Sequence, residues 1–367
     1  MKKSASVALA VMSTLVFCGC SQDQSLTTTE PEMVGFEADA LIGVAMPQKG
    51  PEGWYMPEGL FNYYLSEAGF RVQFSTADGG VPEQQNQIES MIEDGVRVIV
   101  VDAIDGSQLG AQLAKAKAAG IAIIAYDRLL INTTDVDLYI AYDRCQVGRL
   151  QAAALLEGLD KKGTGSFNIE LIAGSPDDAN SVPFFDCAME VLQPRIDSGD
   201  LVIPLGQISR EQVSTVGWDP TNVQTRFEGI LSSFYADGTK LDGVLSPNDT
   251  LARAAITSVL EVGLENPVVT GQDSEVESIK WIAEGKQYST INRDMETLVT
   301  EVIRVIQILQ RGEASPINDS ATFDNGAKVV PAYLLAPVLV TKDNLCTAYS
   351  PNTTAAQVAA STSLCQD

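Results

Sequence analysis

The feature that most constrains this chain is a repeating alternation of short apolar segments and amphipathic segments from Ala40 onward. Each apolar segment is rich in β-branched residues and short enough to be a buried strand, and a polar loop and a helical pattern follow it. A repeat of roughly thirty residues is typical of βαβ units, which build parallel sheets. The sequence therefore predicts an α/β fold.

Ten strands and two domains are predicted from this pattern. The intervening helical segments place apolar residues on one face and end at glycine, as Ile88, Met91 and Ile92 do in 87–95. More than 300 residues follow position 39, so two similar domains are more economical than one large sheet. The predicted strands are 40–46, 71–76, 96–103, 121–127, 136–143, 167–174, 201–206, 241–249, 266–273 and 288–294.

Polar pairs occur where the predicted strands end. Ligands of open parallel α/β sheets bind outside the carboxyl ends of the strands, so we expect these pairs to meet at one cleft. A single pair has an equally good interpretation as a helix N-cap, but caps have no need for Arg128 or Arg293. The pairs are Asp127-Arg128, Asp143-Arg144, Asp177-Asp178, Asn248-Asp249, Gln272-Asp273 and Asn292-Arg293.

This set of side chains suits a neutral ligand rich in hydroxyl groups. A sugar hydroxyl can donate to Asp or Asn and accept from Arg or Asn, and charged partners strengthen these bonds. Trp54 and Trp218 follow predicted strands, where an indole could cover the apolar face of a sugar ring. The alternative is that both tryptophans pack under loops.

Composition excludes several classes of function. The net charge is −24, which argues against nucleic acid as a partner, because phosphate binding requires clustered Lys and Arg. The chain has no histidine and therefore lacks the commonest general base and the commonest zinc ligand. No oxygen-rich loop has EF-hand spacing, so neither a metal nor a cofactor is expected.

The N-terminus reads as an export signal. Two lysines precede an apolar run that is too short to span a bilayer, which predicts a signal peptide over residues 1–19. Cys20 after Gly19 resembles the lipidated cysteine of a bacterial lipobox; the alternative is ordinary cleavage near Gly19. Residues 20–39 then form a polar tether, and an acyl chain would be the only membrane attachment, on the extracytoplasmic side.

The four remaining cysteines allow disulfides in an oxidising compartment. Cys346 and Cys365 bracket the C-terminal tail, residues 346–367, and are expected to pair and close it. Cys145 and Cys187 each fall early in a predicted helix. They either pair or remain buried free thiols.

Several stretches together resemble the type I periplasmic sugar-binding proteins, most of all the branch that binds xylose, glucose and galactose. The resemblance runs from about Ala40 to Asn344 and keeps order and spacing throughout. The stretches are IGVAMPQKGPEGW, AIIAYDRLL, FNIELIAGSPDDAN, GWDP, VLSPND, TGQDSEV, YSTINRD and NGAKVVPAYLL.

The resemblance implies two Rossmann-like lobes that close on a monosaccharide like a hinge. Three crossovers would lie near Asp143, near Asn292 and near 326–330. Residues 40–142 and 293–325 would then form the first lobe. Residues 143–292 and 326–345 would form the second.

The resemblance also implies a role for individual residues. Asp127 and Arg128 would bind sugar hydroxyls from the first lobe, and Asn180 from the second. Trp218 would stack on the sugar ring. The full set of expected ligand-binding residues is Lys49, Trp54, Asp127, Arg128, Asp178, Asn180, Trp218, Asn248, Asp273, Asn292 and Arg293.

Two departures from the family pattern bear on sugar preference. Gly53 occupies a position where the closest branch carries arginine, and Lys49 could reach the same space. The first crossover reads Asp143-Arg144, where Asp-Asn is usual.

The expected function is that of a monomeric lipoprotein that captures an aldose and delivers it to an ABC importer. Alternatively, its closed form could be read by a chemoreceptor or sensor kinase. A glycosidase using Asp177 and Asp178 is a second class, although adjacent carboxylates point in different directions. Sugar-responsive repressors are a third, but they need a basic helix-turn-helix where this chain has a signal peptide.

Overall fold

The computed structural model describes residues 35–47, 56–351 and 353–366. The strands are β1 (Leu41–Met46), β2 (Arg71–Thr76), β3 (Val98–Val101), β4 (Ala122–Tyr126), β5 (Leu138–Tyr142), β6 (Phe167–Leu171), β7 (Leu201–Val202), β8 (Gly243–Leu245), β9 (Val268–Val269), β10 (Ser289–Asn292), β11 (Ala332–Leu335) and β12 (Val338–Thr341). The helices are α1 (Met56–Glu67), α2 (Val81–Glu93), α3 (Gly110–Ala118), α4 (Arg144–Lys162), α5 (Ser181–Asp197), α6 (Arg210–Val213), α7 (Pro220–Phe234), α8 (Asp249–Glu261), α9 (Val276–Glu284), α10 (Met295–Gln310) and α11 (Thr354–Ser361).

The first lobe is built on a six-stranded parallel sheet in the order β11-β5-β4-β3-β1-β2. Successive side chains of a strand point to opposite faces of the sheet. Val98 and Val100 accordingly pack in one core cluster with residues of α1 and α10, while Ile99 and Val101 pack in another with residues of α2 and α3. The lobe is therefore a sheet covered on both faces, which explains its almost uninterrupted apolar strands.

The second lobe has the same build around a smaller sheet. Its parallel strands follow the order β7-β6-β8-β9. Beside them, β10 pairs antiparallel with β12, and the Tyr288 N–H donates to the Val269 carbonyl at 3.0 Å to connect this pair to β9. Each of the ten predicted strands contains one observed strand, from β1 to β10, and the α/β prediction is confirmed.

The assignment of residues 326–345 to the second lobe is wrong for β11. This strand pairs in parallel with β5, with Ala332 opposite Tyr139 and Leu335 opposite Tyr142. The chain passes to the second lobe after β5, returns after β10, and passes over again between β11 and β12. The third crossover thus follows Leu335 rather than lying at 326–330.

Two disulfides lie in the second lobe and the C-terminal tail. Cys145 in α4 is bonded to Cys187 in α5, with Cα atoms 5.2 Å apart. Cys346 is bonded to Cys365, with Cα atoms 5.5 Å apart, and closes the tail. Leu345 and Ala359 pack there against Ile279 and Ile282 of α9. Both cysteine pairs considered from the sequence are therefore bonded in the structure.

Within the described residues, no helix is both long enough and apolar enough to cross a bilayer. Cys20 and the predicted signal peptide and tether through residue 34 lie outside these residues.

Candidate functional site

The ends of strands from both lobes meet around a cavity of about 70 Å³. Asp127 and Arg128 follow β4 in the first lobe. The second lobe contributes side chains that follow β6 and β9 and others that precede α7 and α8. Eight of the predicted residues line this cavity: Asp127, Arg128, Asp178, Asn180, Trp218, Asn248, Asp273 and Arg293.

Ion pairs and hydrogen bonds cross between the lobes at this cavity. Arg128 Nε lies 3.1 Å from Asp178 Oδ2. Asn180 Nδ2 donates to Asp127 Oδ2 at 3.0 Å. Arg293, at the second crossover, donates to Asp127 Oδ1 at 2.8 Å and to Asp273 Oδ1 at 2.7 Å. Every one of these groups can bind a hydroxyl, so the cluster offers a sugar donors and acceptors from both sides.

Three of the cavity residues have left-handed backbone conformations that side chains rarely adopt. The φ angle is 55° at Asp127, 55° at Trp218 and 94° at Asp273. Such conformations cost about 1–3 kcal/mol each and persist only where surrounding structure holds them, often at binding sites. The Asp127 carbonyl accepts from Tyr139 Oη at 2.7 Å, which is one such restraint. All three residues line the cavity.

The buried arginines stay charged because carboxylates surround them. Burial alone would lower the pKa of Arg293, but Asp127 and Asp273 raise that pKa well above its ordinary value. Burial would likewise lower the pKa of Arg128, while Asp178 raises it. The cleft therefore presents permanently charged guanidinium groups, whose hydrogen bonds are stronger than those of neutral donors.

Trp218 is half-buried at the edge of the cavity. Its Nε1 donates to Asp178 Oδ2 at 3.1 Å. Its ring packs against Gly174, where an added Cβ would lie 2.1 Å from the indole. The absence of a side chain at Gly174 thus lets the ring reach the cavity while its nitrogen is already bonded.

Asn248 combines the two roles considered for it. Its Oδ1 accepts from the Leu251 N–H at 2.9 Å and caps α8, and the residue also lines the cavity. Asn292 lines an adjoining cavity of about 210 Å³, which shares Asp127, Asp273 and Arg293 with the first. Lys49, Gly53 and Trp54 lie outside the described residues.

Sequence reasoning missed several residues of the site. Pro47, Phe184 and Glu275 also line the cavity. Glu275 lies two residues beyond Asp273 in the same loop. This closeness in sequence to a predicted site residue could have identified it. Asp102 was also missed, since it reads as the end of a strand, yet it is fully buried with Oδ1 3.6 Å from Arg128 Nε.

Known proteins share this fold and much of this sequence. Residues 42–314 match the periplasmic binding protein domain family. The chain is 43% identical over 316 residues to the multiple sugar-binding periplasmic receptor ChvE of Rhizobium radiobacter, covering 84% of this chain and 89% of that protein. It is 34% identical over 305 residues to the D-xylose-binding periplasmic protein of Escherichia coli K12, covering 83% and 87%.

Solved structures agree with the sequence comparisons. An ABC transporter solute-binding protein from Clostridium phytofermentans with bound β-D-glucose superposes with a TM-score of 0.80 at 37% identity, covering 85% of this chain and 99% of that one. A carbohydrate transporter solute-binding protein from Chloroflexus aurantiacus, in complex with D-glucose, gives 0.76 at 31% identity, covering 84% and 96%. The chain therefore belongs to the periplasmic binding protein family and has its type I fold, as the resemblance in the sequence implied.

Proposed function

We propose that this protein captures a monosaccharide of the xylose, glucose or galactose type and delivers it to an ABC importer. The observation that carries the proposal is the cluster of cross-cleft bonds in which Asp127 meets Asn180 and Arg293, and Arg128 meets Asp178. Hydroxyl groups of a sugar replace these partners one for one, since each is a donor or an acceptor already aimed into the cleft.

Contributions from both lobes link binding to closure. Asp127 and Arg128 belong to the first lobe, while Asp178 and Asp273 belong to the second. A sugar that contacts all four binds the closed arrangement better than the open one and shifts the population towards it. We propose that the permease recognises the surface that only the closed lobes form.

The relatives support the choice of ligand and partner. One is named a multiple sugar-binding receptor and another a xylose-binding protein, and two solved structures hold glucose. We propose in addition that Cys20 carries the lipid anchor and that the protein acts as a monomer outside the cytoplasm. In the alternative function, a chemoreceptor or sensor kinase recognises the same closed form. One relative's name, which includes the word receptor, supports this alternative.

The structure gives no support to a glycosidase role for Asp177 and Asp178. Asp178 accepts from Trp218 and is paired with Arg128, and Asp177 accepts from the Ser175 hydroxyl. Incubation with aryl glycosides is the direct check, and we expect no release of the aryl group.

A thermal-shift screen tests the proposed ligand class. The protein from residue 21 onward is heated with xylose, glucose, galactose, arabinose, ribose or fructose. A sugar of micromolar Kd at millimolar concentration adds about 4 kcal/mol to the free energy of unfolding. We expect one or two aldoses to raise Tm clearly. The absence of a shift with every sugar would contradict the proposal.

A further inference from the structure

Arg144, the departure at the first crossover, lies buried beside the sugar cleft. It is the first residue of α4 and only 8% exposed. Its guanidinium carbon lies 5.2 Å from the centre of the Tyr139 ring and 5.1 Å from that of the Phe323 ring, both in the first lobe. Its Nη1 donates to Asn180 Oδ1 and to the Ala179 carbonyl, each at 3.3 Å. Arg144 therefore connects first-lobe aromatic rings to a cleft residue of the second lobe.

The packing of α4 on α5 fixes this contact. Asn180 immediately precedes α5, and its side chain does not cap that helix. The Cys145–Cys187 disulfide joins the two helices next to Arg144. Gly148 lets them approach closely, because an added Cβ would lie 2.2 Å from the Phe184 carbonyl oxygen. Arg144 and Asn180 thus lie at adjoining ends of two closely packed, disulfide-linked helices.

The bond to Arg144 decides which end of the Asn180 amide faces the cleft. An asparagine side chain has one acceptor oxygen and one donor NH₂ group, and a guanidinium can only donate. With Oδ1 held by Arg144, Nδ2 faces Asp127, to which it donates at 3.0 Å. We propose that Arg144 is a positioning residue that determines specificity by presenting the Asn180 NH₂ group to the ligand. This inference rests on the proposed function.

The fixed amide selects for a hydroxyl group at one position of the sugar. Asn180 Nδ2 requires an acceptor, and the neighbouring Asp127 carboxylate requires a donor. A hydroxyl satisfies both, whereas fluorine or an ether oxygen satisfies only the amide. Without Arg144, Asp127 alone holds the amide in this orientation. Discrimination at this position is then weaker.

A double-mutant cycle tests the coupling by calorimetric titration with the aldose that gives the largest thermal shift. Arg144→Met keeps a stem between the two rings and removes the donors. We expect it to weaken sugar binding about tenfold in the wild-type background and less than twofold in an Asn180→Ala background. Arg149→Met is the matched control on the same helix, because Arg149 is exposed and pairs with Glu190, and it should leave the affinity unchanged.

An equal loss of affinity from Arg144→Met in both backgrounds would overturn the inference, since Arg144 would then act without Asn180. A second measurement needs no sugar. We expect the side-chain NH₂ resonances of Asn180 in the unliganded protein to shift in Arg144→Met and stay in place in Arg149→Met. Unchanged resonances in Arg144→Met would also overturn the inference. If the wild-type protein bound no sugar, the proposed function would fail, and the resonances alone would decide whether Arg144 orients the amide.

Discussion

Asp127 lies where the first lobe, the second lobe and the second crossover meet. It accepts from Asn180 and Arg293, and both bonds cross the cleft or the crossover. Asparagine has nearly the same size as aspartate and also adopts the left-handed backbone conformation, but it carries no charge. Asp127→Asn therefore removes only the charge. We expect sugar affinity to fall at least tenfold, which is about 1.4 kcal/mol, in a calorimetric titration.

The control for this substitution is Glu93→Gln on α2, an exposed acid far from the cleft in sequence and fold. Its sugar affinity should equal that of the wild type. Wild-type affinity in a folded Asp127→Asn protein would show instead that Asp127 serves the structure and not the ligand.

Asp102 illustrates a different residue-scale effect, on stability. Burial raises the pKa of this carboxyl well above its ordinary value, although Arg128 opposes the shift. From a pH of about 4 upward, the folded protein therefore retains a proton that the unfolded chain loses. Because the folded state binds more protons in that range, the free energy of unfolding falls as the pH rises.

Asp102→Asn removes this loss because asparagine does not ionise. We expect the variant to gain in Tm relative to the wild type, and the gain should be larger at pH 8 than at pH 5. Thermal unfolding at the two pH values provides the measurement. A gain of equal size at both would mean that Asp102 does not titrate differently in the folded and unfolded states.

At the scale of elements, the contact between α4 and α5 determines where Asn180 lies. Gly148→Ala would push the added Cβ to 2.2 Å from the Phe184 carbonyl oxygen, so the helices would have to separate. Overpacking of this kind costs about 1–3 kcal/mol. We expect the free energy of unfolding, measured with urea, to fall by that amount.

Gly59→Ala is the matched substitution in α1, where nothing lies within 4 Å of the added Cβ. Alanine is the better helix former, so this variant should gain about 0.5–1 kcal/mol. A similar change in both variants would contradict the account of α4–α5 packing.

The strands show what the sequence could and could not predict. β1 to β10 were predictable because each apolar run is bounded by polar turns. β11 and β12 were not, since 329–341 reads as one apolar stretch interrupted by Pro331 and Pro337. Its division between lobes depends on which strands are available to pair, namely β5 for β11 and β10 for β12. Pairing of distant strands is not a property of the local sequence.

The same distinction applies to the site. Asp127, Arg128, Asp273 and Arg293 were predictable because strand ends converge in this fold. The ion pairs of Arg128 could not be predicted. Its partners Asp102 and Asp178 follow separate strands in different lobes. The role of Arg144 also depends on tertiary contacts, with Tyr139, Phe323 and Asn180.

At the scale of the whole molecule, two lobes each hold half of one polar cluster. Asp127 and Arg128 lie on the first lobe, and Asp178 and Asp273 lie opposite them on the second. A ligand that needs all four contacts therefore needs both lobes. Opposite charges attract across the cleft, and a sugar that satisfies both halves adds to that attraction. Capture between lobes is therefore the central claim.

The most direct test is a crystal structure of the protein with the aldose that gives the largest thermal shift. We expect the sugar ring between Trp218 and Asp127, with hydroxyl groups bonded to Asp127, Arg128 and Asn180 and the lobes closed around it. A sugar bound without contact to Asp127, Arg128 and Asn180 would contradict the account.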